Sequence, residues 1–294
     1  MAAVGWALAG PIFVNAWDGS SAAGASPSGV ERPRFDPNRA DTSQAARHSA
    51  VASIPFDKLD AAARRKASSV LSRPTLFRRM PLHVAQCDPD LYRFLARHPD
   101  VLVSIWEELG ISDFRMTENE SGTFRAVEGN STLGTAEFLY QDKDTYVVYC
   151  EGEYRGPLLA KPVRGRAILI LKTGHVQEAD GRYYITSRLD TFTYIEDATI
   201  DFLTRTFQPL VGKVVDNNFL QTSAFVGSLS RTAEVNPRGV QRLATRLNRV
   251  RPEVRREFAA VARQVEQRAT RQVSLETPMP VGTPTTARAD AGRY

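Results

Sequence analysis

The sequence predicts an α+β protein assembled as one strand, two short helices, six further antiparallel strands and a long closing helix. Three observations predict it: extended runs separated by Gly, Asn and Asp turns between residues 111 and 195, two compact helix signals after Cys87, and a broad apolar helical stripe after residue 198. Composition agrees, because 294 residues with 42% hydrophobic and 24% charged side chains match an ordinary globular chain. Whole-chain disorder, a collagen-like fibre and a multi-span membrane protein are thereby excluded.

The elements follow in order. Phe56–Leu71 carries Asp57 near its start and a thin stripe of Leu59, Ala63 and Val70, which predicts a helix. Leu76–Gln86 reads as a strand that Pro81 confines to an edge or a bulge. Asp88 is a good N-cap with Pro89 at the first helical position, opening a short helix over 90–97. His98-Pro99 restarts the chain into a second helix, where Leu102, Ile105, Trp106 and Leu109 keep helical spacing and Gly110 ends it. The remaining strands are placed at Ile111–Thr117, Thr123–Glu128, Leu133–Tyr140, Thr145–Gly152, Gly165–Thr173 and Arg182–Ile195, giving seven in all. The closing helix, Ala198–Thr232, aligns Ile200, Leu203, Phe207, Leu210 and Val214, with Val211, Val215 and Phe219 continuing the face. Pro209 and Gly212 predict a bend within it.

That order of elements, with PLHVAQCDPDLYRFLARHPDVLVSIWEELG at its start and the helix from Ala198 at its end, resembles the START-related, helix-grip superfamily of lipid-transfer, polyketide-cyclase and coenzyme-Q-binding proteins. The resemblance covers about residues 76–232 and is at the level of the fold. It implies a seven-stranded curved antiparallel sheet wrapping the long C-terminal helix around a cavity for an apolar ligand. This chain departs from the superfamily in Pro209 within the gripped helix and in the basic helical segment that follows it.

The strand residues agree with such a cavity without demanding one. Ala167–Leu171 and Tyr146–Tyr149 are apolar at every position, so both faces of the sheet are covered. A filled core with the outer face packed by another part of the chain or another copy, and a lined pocket, both satisfy that pattern. The candidate cavity residues are Trp106, Phe138, Tyr140, Tyr149, Tyr183, Phe192, Phe207 and Val211. No catalytic residue is assigned. The histidines His48, His83, His98 and His175 have no second histidine two to five residues away and the two cysteines are not closely paired, so no metal and no cofactor is expected. Glu151 and Glu153 would share a strand face, as a carboxylate pair or as a solvated hairpin edge. Arg188 and Asp190 would form an inward head-group site or an outward ion pair. Cys87 and Cys150 read as buried thiols or as a pair.

The net charge of +5 is unevenly held. Residues 231–271 carry eleven arginines and no lysine against four glutamates, a local +7. Their stripes, Val240, Leu243, Leu247 and Val250, then Val254, Phe258, Val261 and Val265, predict two amphipathic helices broken at Pro252. Packing on the domain or a partner, an anionic membrane surface engaged by Arg242, Arg246, Arg249, Arg255 and Arg256, and nucleic acid are the three readings, nucleic acid being the least favoured.

Around this body, residues 1–25 read as a signal peptide or apolar leader, since Met1–Trp17 is uncharged although it lacks a basic start. Residues 26–54, rich in Ala, Ser, Gly and Pro, read as a disordered linker, 55–233 as the helix-grip domain, 234–272 as the basic segment and 273–294 as a disordered tail. The expected function is non-catalytic binding of a hydrophobic molecule or lipid in the cell envelope or periplasm. The alternatives are a cyclase-like or hydrolase-like enzyme in the same cavity, a scaffold with a filled core, and a cytoplasmic location.

Overall fold

A computed structural model of the chain describes residues 39–129, 132–155, 162–196 and 208–276, with the side chains of 208–214 and 272–276 outside the description. The leader, Phe207, the start expected for the closing helix and residues 277–294 therefore lie outside the described residues, as does the side chain of Val211. The expected bend at Pro209 and Gly212 falls among side chains that are not described.

The chain opens with α1 (Gln44–Ala52), a 3-10 turn (Phe56–Lys58) and α2 (Ala61–Leu71). Next come β1 (Leu76–Arg79), β2 (His83–Gln86), α3 (Pro89–Arg97) and α4 (Pro99–Glu108). Six strands follow: β3 (Phe114–Glu118), β4 (Phe124–Glu128), β5 (Thr132–Gln141), β6 (Thr145–Tyr154), β7 (Val163–Gln177) and β8 (Tyr183–Ile195). The chain then forms α5 (Gln208–Val235), α6 (Pro237–Arg246) and α7 (Pro252–Glu276). All pairings are antiparallel, in the order β1-β8-β7-β6-β5-β4-β3, with β2 also on β8.

Several local signals act as the residues dictate. Asp88 caps α3 by accepting from the backbone N–H groups of Asp90 (2.9 Å) and Leu91 (3.1 Å), with Pro89 in the first turn. At the end of α4, Gly110 adopts φ +68°, Ile111 N–H donates to Trp106 O (2.9 Å) and Gly110 N–H donates to Glu107 O (3.0 Å). This double bond is the Schellman closure, which only a residue tolerant of the left-handed region permits cheaply. Pro81 has no N–H to offer, so the expected single strand over 76–86 is two, β1 and β2, both on β8 at the sheet edge. Among the described residues the sheet thus counts eight strands where seven were expected.

Strand alternation sends two sets of side chains to two cores. One set, including Phe114, Met116, Phe124, Ala136, Cys150 and Ala167, meets α3 to α7 in the larger core. The other, Val147, Tyr149, Ile168, Ile170 and Phe192, meets Ala50, Ile54, Leu59, Ala63, Ala67 and Val70 of the N-terminal helices. This is why the central strands are apolar at every position: α1 and α2 cover the outer face. The linker expected over 26–54 is corrected accordingly where its residues are described, from residue 39 onward. Ser43 caps α1 through its side-chain oxygen, and Ala46 and Ala50 are buried. The expected helix start at Phe56 also moves, because Asp60, not Asp57, caps α2 by accepting from Ala63 N–H at 2.7 Å.

On the inner face, α5 crosses β2 closely. A Cβ built at Gly227 would lie 3.2 Å from Gln86 O and 3.5 Å from Ala85 Cβ, so the absent side chain lets the helix approach the strand. Ser230 Oγ accepts from Asp88 N–H at 2.9 Å, fixing the α3 start to α5. The basic segment is part of the same body. Val240, Ala244, Leu247, Val250, Val254, Phe258, Ala262 and Val265 are all buried in the larger core, and Phe258 stacks on Phe94 at 5.7 Å and 13°. Arg268 ties α7 to Asp88 (2.6 Å) and to Asp90 of α3.

Candidate ligand-binding cavity

Between α4, α5 and the inner sheet face lies a cavity of about 240 Å³, with an overwhelmingly apolar lining. Leu102, Val103 and Trp106 come from α4, one helical turn apart, and Phe219 and Thr222 come from α5. Met116, Phe124, Ala136, Phe138, Tyr146, Val148, Leu169 and Leu189 come from the inward positions of the strands. Phe138 meets Phe124 edge to face at 5.9 Å and lies 6.3 Å from Tyr146, while Trp106 meets Phe225 edge to face at 6.0 Å. These contacts hold the rings at the cavity wall.

Four polar side chains interrupt the apolar lining: Trp106 and Tyr146, and Asn218 and Thr222 of α5. Trp106 is 4% exposed and Tyr146 1%, yet Trp106 Nε1 has no acceptor, and the Tyr146 hydroxyl has only Arg97 beside it, a donor that leaves the phenol O–H itself unused. Burial pushes the Tyr146 phenol pKa upward, partly opposed by Arg97 and Arg93, so the hydroxyl keeps its proton and remains a donor. A buried N–H or O–H left without an acceptor costs about 1–3 kcal/mol, so two at one cavity are a chemical feature to be explained.

The structure brings together only part of the expected set. Trp106 and Phe138 line the cavity. Tyr140, Tyr149 and Phe192 do not: they belong to the outer core against α2. For Tyr149 and Phe192 the cause is alternation, since Val148 and Ile168's partner face opposite sides of the sheet, with Phe192 directly opposite Ile168. For Tyr140 the cause is a β-bulge between Phe138 and Tyr140, which undoes the i, i+2 relation that would have put both inward. Lys58 Nζ donates to its hydroxyl at 3.1 Å. Tyr183 is also misplaced, at the far end of β8 beside His175, ring centroids 6.4 Å apart. Sequence reasoning missed Met116, Phe124 and Tyr146, whose inward parity follows once Phe138 is known to face in.

The other candidates are accounted for. Glu151 accepts from the Tyr149 hydroxyl at 2.8 Å, and Glu153 is held by Arg155 (2.6 Å) and Arg164 (3.0 Å), whose hydrogen bonds lower its pKa. Asp190 is fully buried and pairs bidentately with Arg79 across the strands, at 2.6 and 3.0 Å, while Arg188 stands 3.9 Å away. Cys87 and Cys150 are free and buried; burial raises the Cys87 pKa to about 12 and that of Cys150 further, so both stay thiols.

The membrane-surface candidates are altered by packing. Arg249 pairs with Glu107 (2.7 Å), Arg246 with Glu108, and Arg255 donates to Thr245 O (3.4 Å). Arg242 and Arg256 are exposed. The stripe that would enter a bilayer is already inside the protein, Val254 at 2% and Phe258 at 0% exposure, which removes the insertion expected of α7. Among the described residues no helix is long and apolar enough to cross a membrane.

No protein-family model matches the chain, and no curated protein sequence matches it. Among solved structures it is similar to one described as the crystal structure of Ara h 8.0201, with 16% identity, covering 49% of this chain and 97% of that one at a TM-score of 0.27. A likeness at that score carries no argument about ligand or role. The class is defined by the architecture itself: an α+β helix-grip protein whose antiparallel sheet grips α5 on one face and is covered by α1 and α2 on the other.

Proposed function

We propose that the protein is a binding module for a small hydrophobic molecule that carries a hydrogen-bond acceptor, held between α4, α5 and the inner sheet face. The carrying observation is the pair of unused donors, Trp106 Nε1 and the Tyr146 O–H, on side chains of a largely apolar cavity that Asn218 and Thr222 also line. An apolar surface selects a hydrophobic body, and two fixed donors select a carbonyl, ether or hydroxyl oxygen on it. Scaling from a cavity of about 150 Å³ that holds benzene, 240 Å³ accommodates about ten heavy atoms, two fused rings or a medium chain rather than a whole phospholipid. The reading includes placement in the cell envelope, supported by the apolar, uncharged stretch Met1–Trp17.

Native mass spectrometry of the gently purified chain, alone and after incubation with a small lipophilic ketone, tests the binding. The parent should carry one ligand per chain, and Ala136→Phe, which fills the cavity, should carry none while remaining folded. A parent that carries no ligand under either condition overturns the reading.

A further inference from the structure

A second group of side chains stands beside this cavity, independent of the ligand reading. His98 forms the junction of α3 and α4, Asp100 is the second residue of α4, and Glu118 ends β3, two residues beyond Met116 of the cavity wall. Each offers a nitrogen or oxygen ligand atom, and the three atoms lie within 4.8 Å of one another.

The usual structural explanations satisfy this group only in part. Asp100 is 0% exposed and both of its carboxylate oxygens lack a hydrogen-bond partner. Burial disfavours its charge and Glu118 adds to the penalty, outweighing the backbone N–H groups of Asp100 and Val101 and the charge of Arg251, which raises the pKa to about 6. His98 makes no side-chain cap to α4, and its Nδ1 is buried without a partner, although the ring is held 4.8 Å from the ring of Phe94. Glu118 Oε2 makes no well-formed hydrogen bond but pairs with Arg251 Nη2 at 2.7 Å. A helix cap would have used the His98 ring, and a buried ion pair would have satisfied Asp100. A fully buried carboxylate beside an imidazole and a second carboxylate is costly, and a cation shared among all three would offset that cost more fully than Arg251, which pairs with Glu118.

We propose that His98, Asp100 and Glu118 form a binding site for one divalent transition-metal ion of the zinc class. The donor set selects the class. One imidazole with two carboxylates suits Zn²⁺ or a neighbouring first-row ion, whereas Mg²⁺ prefers an all-oxygen shell. Tetrahedral coordination at about 2.1 Å needs ligand atoms about 3.4 Å apart, so the side chains must close by up to about 1.4 Å. Charge balances, because two carboxylates neutralise a divalent ion. Arg251, displaced from Glu118, keeps Glu253 at 3.3 Å as a partner. Three protein ligands leave a fourth position open to water.

The test is calorimetric titration of Zn²⁺, and separately of Mg²⁺, into the chelator-treated full chain, with thermal midpoints measured in parallel. The site predicts one equivalent of Zn²⁺, a raised midpoint on binding, and no saturable Mg²⁺. Asp100→Asn and His98→Asn should each weaken Zn²⁺ at least tenfold, and His175→Asn should not. Asp100→Asn should fold without metal at a midpoint no lower than the parent's, since it removes a buried charge. Absence of a one-equivalent Zn²⁺ phase, Zn²⁺ affinity in both variants equal to the parent's, or saturable Mg²⁺ without Zn²⁺ overturns the proposal. Ligand uptake by Ala136→Phe is read separately, so failure of the metal site and failure of the cavity are distinguishable.

Discussion

Replacing Phe258 by alanine tests whether the basic C-terminal segment belongs to the folded body. Phe258 is 0% exposed and its ring stacks on Phe94 of α3, so truncation opens a cavity between α7 and α3. Fully buried Phe→Ala changes cost about 3–5 kcal/mol, of which the lost ring pair accounts for about 1 kcal/mol. With a urea slope of about 2.5 kcal/mol/M, a loss of about 4 kcal/mol moves the unfolding midpoint down by about 1.6 M. Against a total stability of about 5–15 kcal/mol this is a large fraction, and the far-ultraviolet and fluorescence transitions should still coincide. Arg256→Ala, on the exposed face of the same helix, should stay within about 0.5 kcal/mol of the parent. A loss below about 1 kcal/mol for Phe258→Ala, or equal effects of the two changes, would refute the packing of α7 on α3.

Other perturbations follow from the same structure. Arg79→Met leaves Asp190 buried without its cation and should cost about 3–5 kcal/mol, while Arg79→Met with Asp190→Leu should recover most of it; equal losses in urea melts would refute the orphaned-charge explanation. Gly227→Ala gains helix propensity of about 1 kcal/mol but sets a methyl 3.2 Å from the Gln86 backbone oxygen, which cannot yield alone, so net destabilisation is expected and a higher thermal midpoint would contradict it. His83 has its pKa lowered by burial, so the unfolded chain binds the proton more readily and stability falls as pH drops through the unfolded value of about 6.5. His83→Gln should flatten that acid loss between about pH 7 and 5, and an unchanged slope would show the shift to be absent.

The reach of the sequence differs between elements for physical reasons. The strands and turns were legible because alternating residues and Gly, Asn or Asp turns leave a local pattern, and the observed strands agree with the expected ones to within about four residues at most ends. Helix α1 was not, since its buried side chains are alanines, Ala46 and Ala50, which look like linker composition yet allow close approach to the sheet. Which face each aromatic takes was hidden as well. Ile168 and Leu169 are equally apolar on opposite faces, and one bulge after Phe138 inverts Tyr140. The His98, Asp100 and Glu118 group escaped a count restricted to histidine and cysteine. The His98-Pro99-Asp100 spacing carried part of the signal, but Asp100 resembles an ordinary first-turn acid and Glu118 arrives from a strand, a juxtaposition that only folding creates.

Calorimetric binding of 1-tetralone against tetralin, its counterpart without the carbonyl, tests the central claim most directly. The two orphaned donors predict that the ketone binds about tenfold more tightly, one net hydrogen bond being worth about 1.4 kcal/mol. Trp106→Phe with Tyr146→Phe should bring the two ligands to equal affinity, and Ala136→Phe should abolish both. Equal binding of ketone and hydrocarbon by the parent, or undiminished binding by Ala136→Phe, would contradict the account.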